Sequence, residues 1–236
     1  MAKSECIRLA VKNDAIIGTI ATLLDAGIYN ATLSSYKLIY DIIGDKYLIK
    51  CHNHIPDILS NYYEFNRART SAFRDKDKLY KPAACGLGSL NDDRLIVHFI
   101  ASDSAPTPIE NSRQVSAFEY PQKYGPSPMF SRAVVHNGNL YISGTASIVG
   151  SETVHIGDVE LQKKETLNNI QTLVDAASFD VRDLKFVVYY KNIEDLEKVS
   201  IPYPAVYKHC CICRDNLLIE IEATSKNGHY VQEIYS

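Results

Sequence analysis

The sequence predicts an α+β fold in which one unit, a mixed sheet with helices packed on one face, occurs twice along the chain. Two pairs of segments support this prediction. Residues 93–102 and 215–224 have closely similar patterns of apolar positions, and residues 46–53 resemble residues 185–192 in the same way. The alternation in each pair is typical of a strand. We therefore expect two similar halves joined by a connection.

In the first half, we expect four strands and two helices. Residues 14–26 predict a helix, because a cap at Asn13 precedes apolar residues at helical spacing. Those apolar residues are Ile16, Ile17, Ile20, Leu23 and Leu24. The other predicted elements are strands at 4–12, 46–52, 83–88 and 94–102 and a helix at 57–73. A full opening hairpin is not expected in this half.

In the second half, the turn His136-Asn137-Gly138-Asn139 predicts a hairpin over 132–147. Apolar spacing predicts helices at 158–177 and 194–207, and alternation predicts strands at 184–191, 209–213 and 217–225. Prolines between residues 106 and 128 predict an ordered connection rather than a helix. The expected division is 1–104 for the N-terminal half, 105–129 for the connection and 130–236 for the C-terminal half.

Composition excludes several classes of function. The chain has 236 residues, of which 46% are hydrophobic, and a net charge of −3 without a basic run, so no nucleic-acid partner is expected. No stretch approaches the roughly 20 apolar residues of a membrane span, and no apolar signal region opens the chain. The six cysteines do not form a secreted disulfide pattern. We expect reduced thiols, a cytoplasmic location and a small-molecule substrate.

Two acids on the last predicted strand are the strongest candidates for chemistry. Side chains alternate along a strand, so Glu220 and Glu222 share one face. The face is either a solvated edge or a place where an acid is held for chemistry. The matching positions in the first half are His98 and Ile100. The acid pair therefore occurs once, which indicates a single asymmetric site.

Arginines supply the other candidates. On the predicted helix 57–73, Arg69 continues the apolar stripe of Ile58, Tyr62 and Phe65, so it needs a partner or reaches solvent at the helix end. Arg113 and Arg132 flank the connection and are surface residues on the simplest interpretation. Arg214 lies at a turn between strands, where we expect it to be solvated.

Several stretches resemble a known family. The C-terminal half resembles the RidA-like (YjgF-like) fold in the segments Ile142-Ser143-Gly144-Thr145-Ala146, Gly157-Asp158-Val159-Glu160 and Ile219-Glu220-Ile221-Glu222-Ala223. The whole chain, from about residue 14 to about residue 225, resembles the chorismatases, which are two RidA-like halves in one polypeptide. Matching stretches include His52-Asn53-His54-Ile55-Pro56-Asp57-Ile58, Pro82-Ala83-Ala84-Cys85-Gly86-Leu87-Gly88 and Ile212-Cys213-Arg214. Compared with members of that family, the chain is expected to be shortened at its N-terminus.

The resemblance implies cofactor-free cleavage of the enolpyruvyl ether of chorismate to pyruvate and a hydroxybenzoate. Such a step needs a carboxylic acid that holds its proton at neutral pH, and Glu220 matches the family's catalytic glutamate. Cys213 matches the cysteine that marks the 3-hydroxybenzoate-forming branch, although a free cysteine is usually a small buried apolar residue. The implied substrate-binding residues are Arg69, Arg113, Tyr120, Tyr124, Arg132, Gly144, Ala146 and Glu222.

Other interpretations remain open. The chain could be a non-catalytic RidA-like metabolite-binding protein or a RidA-type enamine or imine hydrolase. Against imine chemistry, Tyr207-Lys208-His209 stands where those enzymes carry an arginine. We expect no metal, because neither His209–Cys213 nor Cys51–His54 has a second ligand pair at zinc-site spacing. A monomer and a homo-oligomer are both compatible with the sequence.

Overall fold

The first half is built around a five-stranded sheet in the order β1-β2-β5-β3-β4. A computed structural model describes residues 6–12, 14–89, 93–121 and 126–229, so the predicted cap Asn13 lies outside the described residues. The elements are β1 (Cys6–Lys12), β2 (Ala15–Leu23), α1 (Gly27–Ile43), β3 (Tyr47–Ile55), α2 (Ile58–Ala72), α3 (Asp75–Leu79), β4 (Ala83–Gly88) and β5 (Arg94–Ser102).

The second half repeats this arrangement in a six-stranded sheet ordered β12-β11-β13-β8-β7-β6. Its elements are β6 (Thr107–Ile109), β7 (Ala133–His136), β8 (Asn139–Ala146), the short pair β9 (Ile148–Val149) and β10 (Glu152–Thr153), α4 (Val159–Ala176), β11 (Leu184–Tyr190), β12 (Ala205–His209) and β13 (Ile219–Ser225). Among the described residues, no helix combines the length and apolar character needed to cross a membrane.

The two sheets share one topology. The order β1-β2-β5-β3-β4 corresponds strand for strand to β7-β8-β13-β11-β12, and in both sheets the pair at the far end, β3–β4 or β11–β12, is parallel. Helices α1 and α2 pack on the first sheet and α4 packs on the second. The predicted α+β fold of two tandem halves, with mixed sheets and helices on one face, is therefore confirmed.

One predicted helix is wrong. Residues 14–26 contain the strand β2, which pairs with β1 on one side and β5 on the other. The segment is rich in β-branched Ile and Thr, whose restricted side chains favour a pleated sheet. Gly18 also fits the sheet, because a Cβ there would overlap the ring of buried Phe99. Since β1 and β2 form a hairpin, the expectation that this half lacks its opening hairpin is wrong as well.

Three further elements differ from the prediction. Helix α1 was not predicted, although its buried Ile28, Ala31, Tyr36, Ile39 and Ile43 recur at helical spacing. The predicted helix 194–207 is wrong: a short 3-10 turn at Ile193–Asp195 is followed by irregular chain and then by β12. Pro202 and Pro204 cannot continue a helix. The predicted strand 209–213 overlaps β12 only at His209.

The halves meet through the sheet faces that carry no helices. An apolar cluster spans both halves: Ala15, Ile49, Ala83, Ile100, Val134 and Tyr141. Beside it, the Lys50 ammonium of β3 lies 2.9 Å from the Glu222 carboxylate of β13 and donates a hydrogen bond to Thr224 at 3.2 Å. Lys50 and Glu222 are 5% and 6% exposed, so this ion pair is buried. The pair therefore links the two sheets across their interface.

Replacing Lys50 with Met should destabilise the protein, because it leaves the Glu222 carboxylate buried without its cation. We expect a loss of about 3–5 kcal/mol in the free energy of unfolding, measured by urea denaturation at pH 7. The double variant Lys50→Met/Glu222→Gln should lose less, since no uncompensated charge remains. Equal losses in the single and double variants would contradict the importance of this pair.

Candidate active site

A cavity of about 290 Å³ opens at the junction of the two halves. Its walls come from α2 and β4 of the first half, from Tyr120 and Pro128 of the connection, and from β8 and β13 of the second half. Apolar surface is supplied by Phe65, Phe130, Ile148 and Leu217, and charged groups by three arginines and one glutamate. A mostly apolar pocket with a few convergent polar groups is typical of a small-molecule site.

Glu220 is the carboxyl group of this cavity. It lies on β13, opposite Ala146 of β8 and Tyr189 of β11, and is 4% exposed. Its Oε1 accepts a hydrogen bond from the Cys85 thiol at 3.0 Å. Burial raises the pKa of Glu220 to about 7; the Cys85 hydrogen bond opposes the rise and the charge of Glu222 adds to it. The side chain can therefore hold a proton near neutral pH.

The position of the Glu220 side chain depends on a glycine of the neighbouring strand. A Cβ built on Gly144 would overlap Glu220 Oε1 and lie 2.8 Å from the Cys85 sulfur. Only a residue without a side chain leaves room for the carboxyl at that point. Gly144 and Ala146, both proposed from the sequence as small residues of the pocket, line the cavity.

The pKa of Glu222 is shifted in the opposite direction to that of Glu220, although Glu222 is only two residues further along β13. It accepts a hydrogen bond from Tyr189 at 2.5 Å and faces Lys50 at 2.9 Å and His52 at 3.3 Å. Burial alone would raise the pKa of Glu222, but Lys50 and His52 hold it well below its usual value. Glu222 is not among the described residues that line the cavity, so we leave it out of the substrate-binding set.

Two of the predicted arginines face the cavity. Arg69 of α2 is 3% exposed and donates a hydrogen bond to the Met129 carbonyl at 2.7 Å. Arg132 is 5% exposed and donates to the Val115 carbonyl at 2.7 Å and the Tyr120 hydroxyl at 2.6 Å. The Nε atom of each finds no hydrogen-bond partner among the described residues. Both guanidinium groups are therefore held in the wall with donor capacity to spare.

A third arginine, Arg214, was expected to be solvated, and that expectation is wrong. Arg214 lines the cavity and donates a hydrogen bond to the Ser151 carbonyl at 3.0 Å. Its guanidinium carbon lies 5.2 Å from the centre of the Tyr120 ring, as does that of Arg132. Its place directly after Cys213 is the sequence signal that could have identified it.

Arg113 does not reach the cavity. It pairs with Glu165 and donates from Nε to the Asn169 side chain at 3.1 Å, so it ties the connection to α4. It is absent from the described cavity lining, and we therefore remove it from the candidate ligands. The sequence placed it beside the connection but could not show which way the side chain turns.

Cys213 and Tyr120 both line the cavity, whereas Tyr124 lies outside the described residues. Burial raises the pKa of Cys213 to about 12, with a hydrogen bond to Tyr62 acting in the other direction. At neutral pH the side chain is thus a thiol rather than a thiolate. A neutral thiol can form part of the cavity wall and donate a hydrogen bond, but it is a poor nucleophile.

One group of possible metal ligands converges within the described part of the chain. His52, Cys85 and Glu222 are buried, with ligand atoms within 4.8 Å of one another. The Lys50 ammonium, however, already lies 2.9 Å from Glu222, where it supplies the positive charge that a metal ion would bring. We therefore assign no metal to this group.

Comparisons with known proteins agree with the fold. The family model described as Endoribonuclease L-PSP matches residues 122–228. The chain is 33% identical to a chorismatase of Streptomyces rapamycinicus, over 86% of this chain and 72% of that protein. It is 30% identical to a 3-hydroxybenzoate synthase of Streptomyces hygroscopicus, over 81% of this chain and 68% of that protein.

A solved structure gives the same result. The crystal structure of a chorismatase superposes with a TM-score of 0.83 and 27% identity, and the match covers 93% of this chain and 77% of the other. Identity and coverage of this extent, over both halves and the connection, establish the relationship. This chain is therefore a member of the chorismatase family.

Proposed function

We propose that the protein cleaves the enolpyruvyl ether of chorismate to pyruvate and a hydroxybenzoate, with Glu220 as the general acid and without a cofactor. The observation that carries the proposal is a buried carboxyl whose pKa is raised to about 7, in a cavity lined by Arg69, Arg132 and Arg214. The names chorismatase and 3-hydroxybenzoate synthase of the relatives support the choice of substrate.

The arginines suit a substrate with two carboxylates. A guanidinium group can bind a carboxylate with two parallel hydrogen bonds, and its charge persists in a partly dry cavity. Arg69 lies in the first half and Arg132 at the start of the second, so a substrate held by both would span the junction. The guanidinium groups of Arg132 and Arg214 both lie close to the ring of Tyr120, at 5.2 Å from its centre.

The proposed reaction begins with transfer of the Glu220 proton to the methylene carbon of the vinyl ether. The resulting oxocarbenium ion is trapped by water, and the adduct collapses to pyruvate and a ring alcohol. The ring then becomes aromatic by losing one water, so the net change is chorismate to pyruvate plus hydroxybenzoate. Glu220 suits the first step because its environment keeps the acid form populated near neutral pH.

We further propose 3-hydroxybenzoate as the aromatic product. Cys213 supports this choice through its match to the cysteine of the hydroxybenzoate-forming branch and through its place in the cavity wall. The thiol state that burial imposes on Cys213 lets it act as a hydrogen-bond donor to the ring portion of the substrate.

The remaining parts of the proposal concern organisation and setting. We propose the division into 1–104, 105–129 and 130–236, which leaves β1–β5 in the first part and β7–β13 in the last. A cytoplasmic location is supported by the six cysteines, all of which are free. The net charge of −3 supports a small-molecule substrate over a nucleic-acid partner.

Glu220→Gln should remove turnover, because glutamine cannot donate the proton that starts the reaction. We expect the rate of pyruvate release from chorismate to fall by about 10²-fold or more. A coupled lactate dehydrogenase assay measures this rate. Glu197→Gln, at an exposed glutamate, is the matched control and should keep wild-type turnover. Chromatography of the aromatic product tests the 3-hydroxybenzoate assignment. Folded wild-type protein that releases no pyruvate would refute the proposed reaction.

The pH dependence follows from the protonation state that the reaction needs. Only the acid form of Glu220 is active, so kcat/KM should be level at acidic pH and fall as the pH rises through about 7. Between pH 6 and pH 8 we expect a loss of about tenfold, since one unit above the pKa leaves about one tenth of the groups protonated. A profile that rises across this range would show that Glu220 acts as a base.

A further inference from the structure

The thiol that contacts the general acid comes from the other half of the molecule. Cys85 lies on β4 of the first half, and its sulfur is 3.0 Å from Glu220 Oε1 on β13 of the second. Both side chains line the cavity. Apart from Cys85, β4 consists of alanine, glycine and leucine, so the thiol is the one side chain on this strand with a proton to donate.

The protonation state of Cys85 determines the direction of the hydrogen bond. Burial raises the pKa of Cys85 well above its usual value, and the nearby carboxyls of Glu220 and Glu222 raise it further. The sulfur therefore keeps its hydrogen at neutral pH and donates it to Oε1. The carbonyl oxygen of a protonated acid is a better acceptor than its hydroxyl oxygen, so this hydrogen bond favours the form of Glu220 that carries its proton on Oε2.

The first half also fixes the backbone that carries the thiol. Tyr36 donates a hydrogen bond to Asn53 Oδ1 at 3.0 Å, and Asn53 Nδ2 donates to the Cys85 carbonyl at 3.0 Å. Tyr36 and Asn53 are fully buried. On the other side, Gly144 leaves the thiol and the carboxyl just enough room to meet. The contact is thus supported from both halves.

We propose that Cys85 is a positioning residue for the reaction proposed above: its thiol fixes the orientation of Glu220 and directs the acid proton to Oε2. This inference rests on the proposed function and adds a residue to it. In this role Cys85 acts through Glu220 and takes no direct part in the reaction. The first half thereby contributes to proton transfer as well as to binding.

Kinetics of three variants test this role. Cys85→Ala should lower kcat by about 10- to 100-fold with little change in KM, because the acid is present but no longer held in its productive orientation. The alkaline limb of kcat/KM should move to higher pH, since the Cys85 hydrogen bond lowers the pKa of Glu220. Cys85→Ser, which keeps a donor, should recover most of the rate and the position of the limb. Cys6→Ala, at an exposed thiol of the first half outside the described cavity lining, should behave as wild type.

An infrared measurement tests the contact without turnover. The S–H stretching band that disappears in Cys85→Ala should shift with pH through about 7 in the wild type, because an ionised Glu220 accepts a stronger hydrogen bond. The band should not shift in Glu220→Gln. A pH-independent band, or a Cys85→Ala variant with wild-type kcat and an unmoved alkaline limb, would overturn the role of Cys85. If the S–H band shifts with pH but the protein does not consume chorismate, the proposed function is wrong while the contact between Cys85 and Glu220 is confirmed.

Discussion

The buried ion pair between Lys50 and Glu222 is the interaction on which the rest of the structure depends. It joins the polar faces of the two sheets, and it neutralises one of the two carboxylates of β13. Glu220, two residues earlier on the same face, has a thiol as its neighbour instead of a cation. Because burial without a countercharge favours the neutral form, the pKa values of the two acids are shifted in opposite directions. One strand thus holds one carboxyl that stays ionised and one that can keep a proton near neutral pH.

The duplicated topology supplies two scaffolds, and the site uses each in a different way. The sequence position that matches Glu220 in the first half is His98, which hydrogen-bonds to Thr19 at 2.7 Å. Burial lowers the pKa of His98 to about 3, so that position holds no charge and no acid. The first half instead contributes Lys50, Cys85 and Arg69 to the site. A site assembled in this way cannot function in either half alone.

The sequence predicts the local pattern well and the contacts between halves poorly. Alternation along β13 places Glu220 and Glu222 on one face, and the repeated pattern of β5 and β13 predicts the tandem fold. Residues 14–26 mislead because apolar residues there fit both helical and strand spacing, and pairing with β1 and β5 decides between them. The positions of Cys85, Arg214 and the Lys50 ion pair in the site could not be predicted from the sequence, because they depend on how the two sheets pack against each other. Arg113 was expected at the site, but it forms an ion pair with Glu165 of α4 and is not among the described residues that line the cavity.

The central claim is that two carboxyls on one strand differ in protonation at neutral pH, and carbon-13 NMR of labelled glutamate side chains measures this directly. Spectra of the wild type, with Glu220→Gln and Glu222→Gln for assignment, would follow both carboxyl carbons with pH. The account predicts that the Glu220 signal titrates near 7 and that the Glu222 signal stays in its ionised position to well below the usual carboxyl range. A Glu220 signal that titrates at an ordinary carboxyl pKa would contradict it.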